Sequence, residues 1–179
     1  VDELTKATHS IIPDRIVAGT YIIAAIMLNK DFIVHNINPS TLSVPIKVLL
    51  KMGANLDVGK NYVKIKPCKL IEGINIETNP YPGFPTDLQA QMMTLMSLAR
   101  GKSEIRENIF ENRFMHVPEL NRLGADIEIK KDIAYIKGDR NFIGTQVMAS
   151  DLRASVSLVL AALCAKGETT INRVYHLDR

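Results

Sequence analysis

A chain of 179 residues with 46% hydrophobic content is long enough for one good-sized domain or two small ones, and should bury a real core. Its net charge of +3 is a mild bias toward small anionic partners; it lacks the clustered basic stripe with interleaved aromatics of a nucleic-acid binder, so no nucleic-acid partner is expected. The most apolar runs, Ile22 to Leu28 and Leu158 to Ala165, fall well short of the ~18 residues that cross a bilayer, and no membrane span is expected.

Residues 1 to 14 are polar and mixed, close on Pro13-Asp14 and read as a lead-in to a domain running from 15 to 179. Val17 to Leu28 is apolar nearly all the way round, which predicts a helix buried on all sides. Phe32 to Asn36 reads as a short strand. Pro39-Ser40-Thr41 then caps a second helix through Met52, stopped by Gly53, and the strands Asn55 to Val58 and Tyr62 to Lys66 form a hairpin about Gly59-Lys60. A strand near Ile74 to Glu77 and a turn holding Pro80, Pro82 and Pro85 lead to a helix from Asp87 to Arg100. A strand from Ser103 to Glu107, a helix from Val117 to Leu123 and a second hairpin follow.

The order thus repeats, and so do the residues. Lys51-Met52-Gly53-Ala54-Asn55-Leu56-Asp57-Val58 runs parallel to Arg122-Leu123-Gly124-Ala125-Asp126-Ile127-Glu128-Ile129, an offset of about 71 positions. The unit is helix-strand-helix-strand-strand. A third copy begins at Ser150-Asp151-Leu152-Arg153, carries an apolar helix to Ala165 and a strand from Thr169 to Arg173, and lacks the second helix and hairpin. The first helix of each copy is apolar almost throughout, whereas the hairpins alternate, as in Leu56/Val58 and Ile127/Ile129. Helices inside and sheets outside are therefore expected, an α/β layering opposite to the Rossmann kind.

The candidate chemistry gathers at helix starts. Phe110 to Leu120 is a polar, basic loop holding Asn112, Arg113 and His116 ahead of a helix that Pro118 and Glu119 suit, a candidate anion site whose bland alternative is a capped loop with a solvated arginine. Thr86-Asp87 and Ser150-Asp151 each open a buried helix, with Arg153 in the first turn of the second. Helix N-termini carry unpaired N–H groups and partial positive charge, so an arginine there suits a carboxylate or phosphate. The residues leave two readings open for each aspartate: a plain helix cap, or, for Asp87, a general base toward a hydroxyl. Arg153 is equally readable as a surface partner of Asp151. Arg113, Arg153 and Arg179, converging from three segments, would suit a doubly anionic substrate, since guanidinium forks bind such groups bidentately.

Cys68 and Cys164 have no metal-ligand spacing, and Cys164 in an apolar helix reads as a buried reduced thiol. His9, His35, His116 and His176 are scattered, and no metal site is expected. Val1 is not an initiator methionine and no basic-then-apolar leader opens the chain, so a cytoplasmic location is expected, with the natural start elsewhere.

Four motifs are specific enough to carry a resemblance: Phe84-Pro85-Thr86-Asp87-Leu88-Gln89-Ala90-Gln91; Glu111-Asn112-Arg113-Phe114-Met115-His116-Val117-Pro118-Glu119-Leu120; Ala149-Ser150-Asp151-Leu152-Arg153-Ala154-Ser155; and Tyr175-His176-Leu177-Asp178-Arg179. Together, from about Pro13 onward, the chain resembles the enolpyruvyl transferases, and among them the UDP-N-acetylglucosamine 1-carboxyvinyltransferases of peptidoglycan synthesis. The shikimate-pathway enolpyruvyl transferases share the fold and chemistry but lack the Glu-Asn-Arg-Phe-Met-His stretch. The resemblance implies an inside-out α/β barrel domain of three repeated units, one of two in the enzyme. It implies transfer of the enolpyruvyl group of phosphoenolpyruvate to the 3′-hydroxyl of UDP-N-acetylglucosamine, with release of phosphate and no metal or organic cofactor. It also implies roles: Asp87 at the sugar hydroxyl as base, Ile109 lining the UDP-sugar site, Arg113 and Arg153 on the phosphoenolpyruvate carboxylate, Arg179 on its phosphate, and Asp151 orienting charged neighbours. The family's lysine-asparagine pair and its mobile loop, usually with a cysteine that fosfomycin alkylates, have no counterpart here; neither Cys68 nor Cys164 stands in a matching motif. The chain is therefore expected to be a truncated domain that needs its other half and is inactive alone; a non-catalytic UDP-sugar-binding module and a gene remnant are the alternatives.

Overall fold

The computed structural model describes residues 5–176, the side chains of Arg153, Ala154 and His176 excepted. Asp14 starts the first helix, its carboxylate accepting from the backbone N–H of Ile16 at 2.7 Å and of Val17 at 3.2 Å, so α1 runs Arg15–Met27. Its Ala18, Ile22, Ile23 and Ile26 are buried. Val17 and Tyr21 are not: each is more than half exposed, so the expected burial on all sides holds for one face only. That inner face packs on the third helix and the first sheet, while Tyr21 stacks outward on Phe32.

The second helix corrects its predicted start. Asn38 caps a 3-10 turn, Pro39–Leu42, and α2 follows as Ser43–Lys51. Pro45 in the first turn of α2 accounts for the break, because its ring would crowd the carbonyl four residues back in a continuous α-helix. Strand β1 (Phe32–His35) and the hairpin β2 (Asn55–Val58) and β3 (Tyr62–Lys66) form an antiparallel sheet in the order β1-β3-β2. Val63 and Ile65 of β3 turn inward and are buried.

The second unit is fuller. Strands β4 (Asn75–Glu77), β5 (Lys102–Arg106), β6 (Asp126–Lys130) and β7 (Ile133–Lys137) form a sheet ordered β4-β5-β7-β6, with β4 parallel to β5 and the other pairs antiparallel. Its first helix, α3, is Gln89–Leu98, and every residue from Gln89 to Ser97 is buried. It lies between α1 and α5 (Leu152–Cys164) and against β5 and β7. The short α4 (Val117–Arg122) begins where Pro118 and Glu119 predict. Strand β8 (Gln146–Met148), too short to show alternation and unforeseen in the sequence, runs parallel to β9 (Thr170–Asn172). Helices thus lie within and sheets without, as the patterning implies. The hairpin tips deviate: Val58 and Ile129 are about two-fifths exposed, whereas Ile127, earlier in its strand, is buried. Among the described residues no helix is long and apolar enough to cross a membrane.

The repeat extends to backbone geometry. Gly53 after α2 has φ 101° and Gly124 after α4 has φ 104°, and each is followed by an alanine N–H that closes back on the helix, Ala54 to the Leu49 carbonyl at 3.0 Å and Ala125 to the Leu120 carbonyl at 3.1 Å. A Cβ at Gly124 would also stand 3.0 Å from the Asn141 carbonyl oxygen. Gly124→Ala should therefore destabilise the fold by about 1–2 kcal/mol, read as a lowered urea midpoint at unchanged slope; an unchanged midpoint would contradict the left-handed stop.

Candidate active site

Two segments, brought together from 26 residues apart, make the site. The first is the 3-10 turn Thr86–Leu88, closed by the Leu88 N–H on the Pro85 carbonyl at 3.0 Å. Leu88 is fully buried and serves as its anchor; Gly19 of α1 makes the room, since a Cβ there would meet Leu88 Cδ1 at 2.6 Å. With Leu88 pulled inward, Asp87 is turned out to solvent, its side chain 51% exposed. The sequence pattern opens the α-helix at Asp87, with a plain cap as one of its two roles. Instead α3 begins two residues later, with no side-chain cap, and the Asp87 carboxylate is engaged elsewhere.

Its partner comes from the second segment, residues 107–116, which follows β5. Phe114 and His116 are buried and pin the end of this segment beside α4. Asn112 takes a left-handed φ of 55°, which asparagine tolerates well. Arg113 between them is directed back: its Nη2 donates to Asp87 Oδ1 at 2.6 Å, and its guanidinium carbon lies 4.4 Å from the centre of the Phe110 ring. The Arg113 side chain is only 9% exposed, which rules out the solvated arginine that local composition allowed. His116, grouped with Arg113 in the sequence reading, faces the core.

Around this segment is an open pocket of about 720 Å³ lined by residues 107–115 with Ile129, Lys131 and Asp132 of the second hairpin. Ile109 and Arg113 are both in its wall. Asp87 is not; the pocket and the carboxylate are joined through Arg113. At the start of α5, the Asp151 carbonyl accepts from the Ser155 N–H at 3.0 Å and its hydroxyl at 2.7 Å, and Asp151 itself is partly buried. Arg153 belongs to the first turn of α5, but its side chain lies outside the described residues, as does the whole of Arg179. The expected convergence of three arginines therefore concerns Arg113 alone among them. Cys68 and Cys164 are unbridged and partly buried, and burial raises the Cys164 thiol above its ordinary range, as suits a packed rather than a reactive sulfur.

One residue of the site went unnoticed in the sequence. Glu107 is 5% exposed, and both its oxygens accept hydrogen bonds: Oε2 from the Thr86 hydroxyl at 2.9 Å, Oε1 from the backbone N–H of Ile109 at 3.0 Å and of Phe110 at 3.2 Å. The signal was there, because alternation puts Glu107 on the same inward face as Ser103 and Ile105, where an acid needs partners.

Buried helices enclosed by outer sheets, with a carboxylate and a guanidinium paired beside the end of the central helix, define a repeat-built domain of the inside-out α/β barrel class. A family model described as EPSP synthase (3-phosphoshikimate 1-carboxyvinyltransferase) matches residues 1–179, and the chain belongs to that family. It is 53% identical over 179 residues, 100% of this chain and 43% of the relative, to a UDP-N-acetylglucosamine 1-carboxyvinyltransferase of Pelagibacter ubique. To the protein of that name in Myxococcus xanthus it is 49% identical, over 100% of this chain and 43% of the relative. Among solved structures it is similar to the enolpyruvyl transferase NikO from Streptomyces tendae, with a TM-score of 0.85 at 30% identity over 93% of this chain and 40% of that one. An EPSP synthase from Acinetobacter baumannii, with a TM-score of 0.78 at 19% identity over 93% of this chain and 43% of that one, shares the fold. The chain spans less than half the length of the curated relatives it matches.

The Asp87–Arg113 pair has one nearly buried partner, so it should exceed the ~0–1 kcal/mol of a surface pair. A double-mutant cycle on Asp87→Asn and Arg113→Gln should return a coupling of about 1 kcal/mol or more, with over half surviving in about 1 M salt. Coupling indistinguishable from zero would mean that the pair does not form in solution.

Proposed function

We propose that the protein to which this chain contributes transfers the enolpyruvyl group of phosphoenolpyruvate to the 3′-hydroxyl of UDP-N-acetylglucosamine with release of phosphate, in the cytoplasm, as a step of peptidoglycan synthesis. The observation that carries this reading is the 2.6 Å pairing of Asp87 with Arg113, beside a pocket walled by Ile109, in a chain 53% identical to a relative named for that reaction. Membership of the family alone would leave the acceptor open between that sugar nucleotide and a shikimate phosphate; the identity to the UDP-sugar enzymes favours the former.

In this reading Asp87 takes the proton of the sugar hydroxyl as its oxygen attacks C2 of phosphoenolpyruvate, while C3 takes a proton from a general acid of the second domain; the tetrahedral adduct then loses phosphate as a C3 proton leaves, which restores the double bond. Arg113 and Arg153 hold the carboxylate of phosphoenolpyruvate, Arg179 its phosphate, and Asp151 orients the charged groups beside them; Ile109 gives the UDP-sugar an apolar wall. A guanidinium already held against a carboxylate at 2.6 Å is well suited to accept a substrate carboxylate in its place, because its planar fork binds either one. The residues from 15 onward form most of one barrel domain, and a second domain supplies the opposite wall of the cleft, its mobile loop included.

Phosphate release from phosphoenolpyruvate and UDP-N-acetylglucosamine is expected from the full-length protein and not from the 179-residue chain by itself. Asp87→Asn in the full-length protein should cut kcat by about a hundredfold or more, the order of a lost general base. Release with a shikimate phosphate as acceptor instead would move the assignment to the other branch of the family, and turnover by the isolated chain would overturn the need for a second domain.

A further inference from the structure

We propose that Glu107 is a positioning residue, a buried carboxylate tie that holds the Asp87 turn and the Ile109 to Arg113 loop in one fixed relation, so that the two walls of the site are set together. The proposal rests on the transferase reading for what the tie serves, but the tie itself is a statement about geometry. Each of the two carboxylate oxygens faces a different segment: Oε2 takes the hydroxyl of Thr86, the residue before Asp87, and Oε1 takes the N–H groups of Ile109 and Phe110. The end of β5 is itself held from two further directions. The Glu107 N–H donates to the Asp132 carbonyl at 2.8 Å, and the Asn108 N–H donates to the hydroxyl of Thr78, a fully buried residue, at 2.9 Å.

A carboxylate is suited to this because it is acceptor-only and can serve several donors at once. The groups it serves are loop N–H groups and a hydroxyl that have no strand or helix ladder to satisfy them. Burial at 5% exposure keeps water from replacing these bonds, so breaking one strands a donor. Glutamine should largely substitute. Its carbonyl oxygen can keep the two N–H groups, and the Thr86 hydroxyl can turn round to accept from the amide nitrogen. Alanine can do neither. The Asp87–Arg113 ion pair joins the same two segments a second time, but through a carboxylate half exposed to solvent, so Glu107 makes the sheltered connection and the ion pair the one a substrate can reach.

The test uses the full-length protein with Glu107→Ala, Glu107→Gln and Thr86→Val, each followed by amide hydrogen exchange, thermal melting and steady-state kinetics. Glu107→Ala should speed exchange both at 108–113 and at 84–88, although only the first stretch donates its N–H groups to Glu107. It should lower kcat/KM by about tenfold to a hundredfold, the scale of a misplacement near 1 Å, at temperatures where the protein is still folded. Glu107→Gln should stay within about threefold of wild type. Thr86→Val, which cuts only the turn side, should lower kcat while leaving exchange at 108–113 unchanged.

Faster exchange confined to 108–113 in Glu107→Ala, with 84–88 unaffected, would overturn the tie, as would a Glu107→Gln variant as impaired as Glu107→Ala. Where Glu107→Ala does not fold, the glutamine and valine variants decide: wild-type kcat in Thr86→Val overturns the proposal. Wild-type protein that releases no phosphate would sink the transferase reading alone, because the exchange arms need no turnover.

Discussion

The complete burial of α3 is the constraint on which the rest of this fold depends. A helix with nine successive residues out of water cannot lie on a surface; it has to be wrapped, and here α1, α5 and the second sheet do the wrapping. Its hydroxyls are satisfied within the helix, whereas Gln91 reaches α1 and the buried amide of Gln89 has no hydrogen-bond partner among the described residues. Thr94 and Ser97 donate back to the carbonyls of Ala90 and Met93, each at 3.0 Å, and Gln91 donates to Thr20 of α1, whose own hydroxyl donates to the Ile16 carbonyl. Such small side chains satisfy their hydroxyls on their own helix and let neighbouring helices approach, as does the buried Ser155 of α5, whose hydroxyl donates to the Asp151 carbonyl. The sheets are then left with one face for the core and one for water, which is why their strands alternate and the helices do not.

A helix sealed along its length meets solvent through its ends, and the candidate site lies at one of them. The chain enters α3 through the turn at Thr86–Leu88, where one residue, Leu88, is committed to the core and its neighbour Asp87 is left outside. The strand after α3 then returns the chain to the same end, so that β5 delivers Glu107 and the loop beyond it beside the turn. Two segments that share no local sequence pattern are thereby held side by side by the topology of one repeat.

How much of this the sequence carries differs between fold and site, for physical reasons. The repeat was legible because it recurs in residues as well as in pattern, down to Gly53 and Gly124, and an apolar helix followed by alternating strands dictates which layer lies inside. Boundaries slipped where short-range chemistry competes with periodicity: Pro45 turned the predicted start of a helix into a 3-10 turn, and β8 is too short to alternate. At the site, Asp87 and Arg113 stood out through their motifs, yet their 2.6 Å pairing depends on a long-range return of the chain that no local window contains. His116, grouped with Arg113 as part of a polar loop, is buried, which local composition does not show because it depends on the packing around the start of α4.

The two connections between the site segments differ in kind, and the difference bears on how such a site would operate. Glu107 bonds to backbone N–H groups and a hydroxyl inside the protein, where the low dielectric strengthens each bond and water does not compete. Asp87 and Arg113 instead combine a half-exposed carboxylate with a nearly buried guanidinium held over the Phe110 ring, so this connection, unlike that of Glu107, has one partner open to solvent. In the proposed reaction an incoming anion would compete with Asp87 for a guanidinium already in position. Displacing Asp87 from the arginine would release its carboxylate at the place where a hydroxyl would need a base. On the proposed reaction, binding of the anion and readiness of the base would then be linked through one side chain, and such a linkage would need the loop and the turn to stay fixed while their outer contact exchanges.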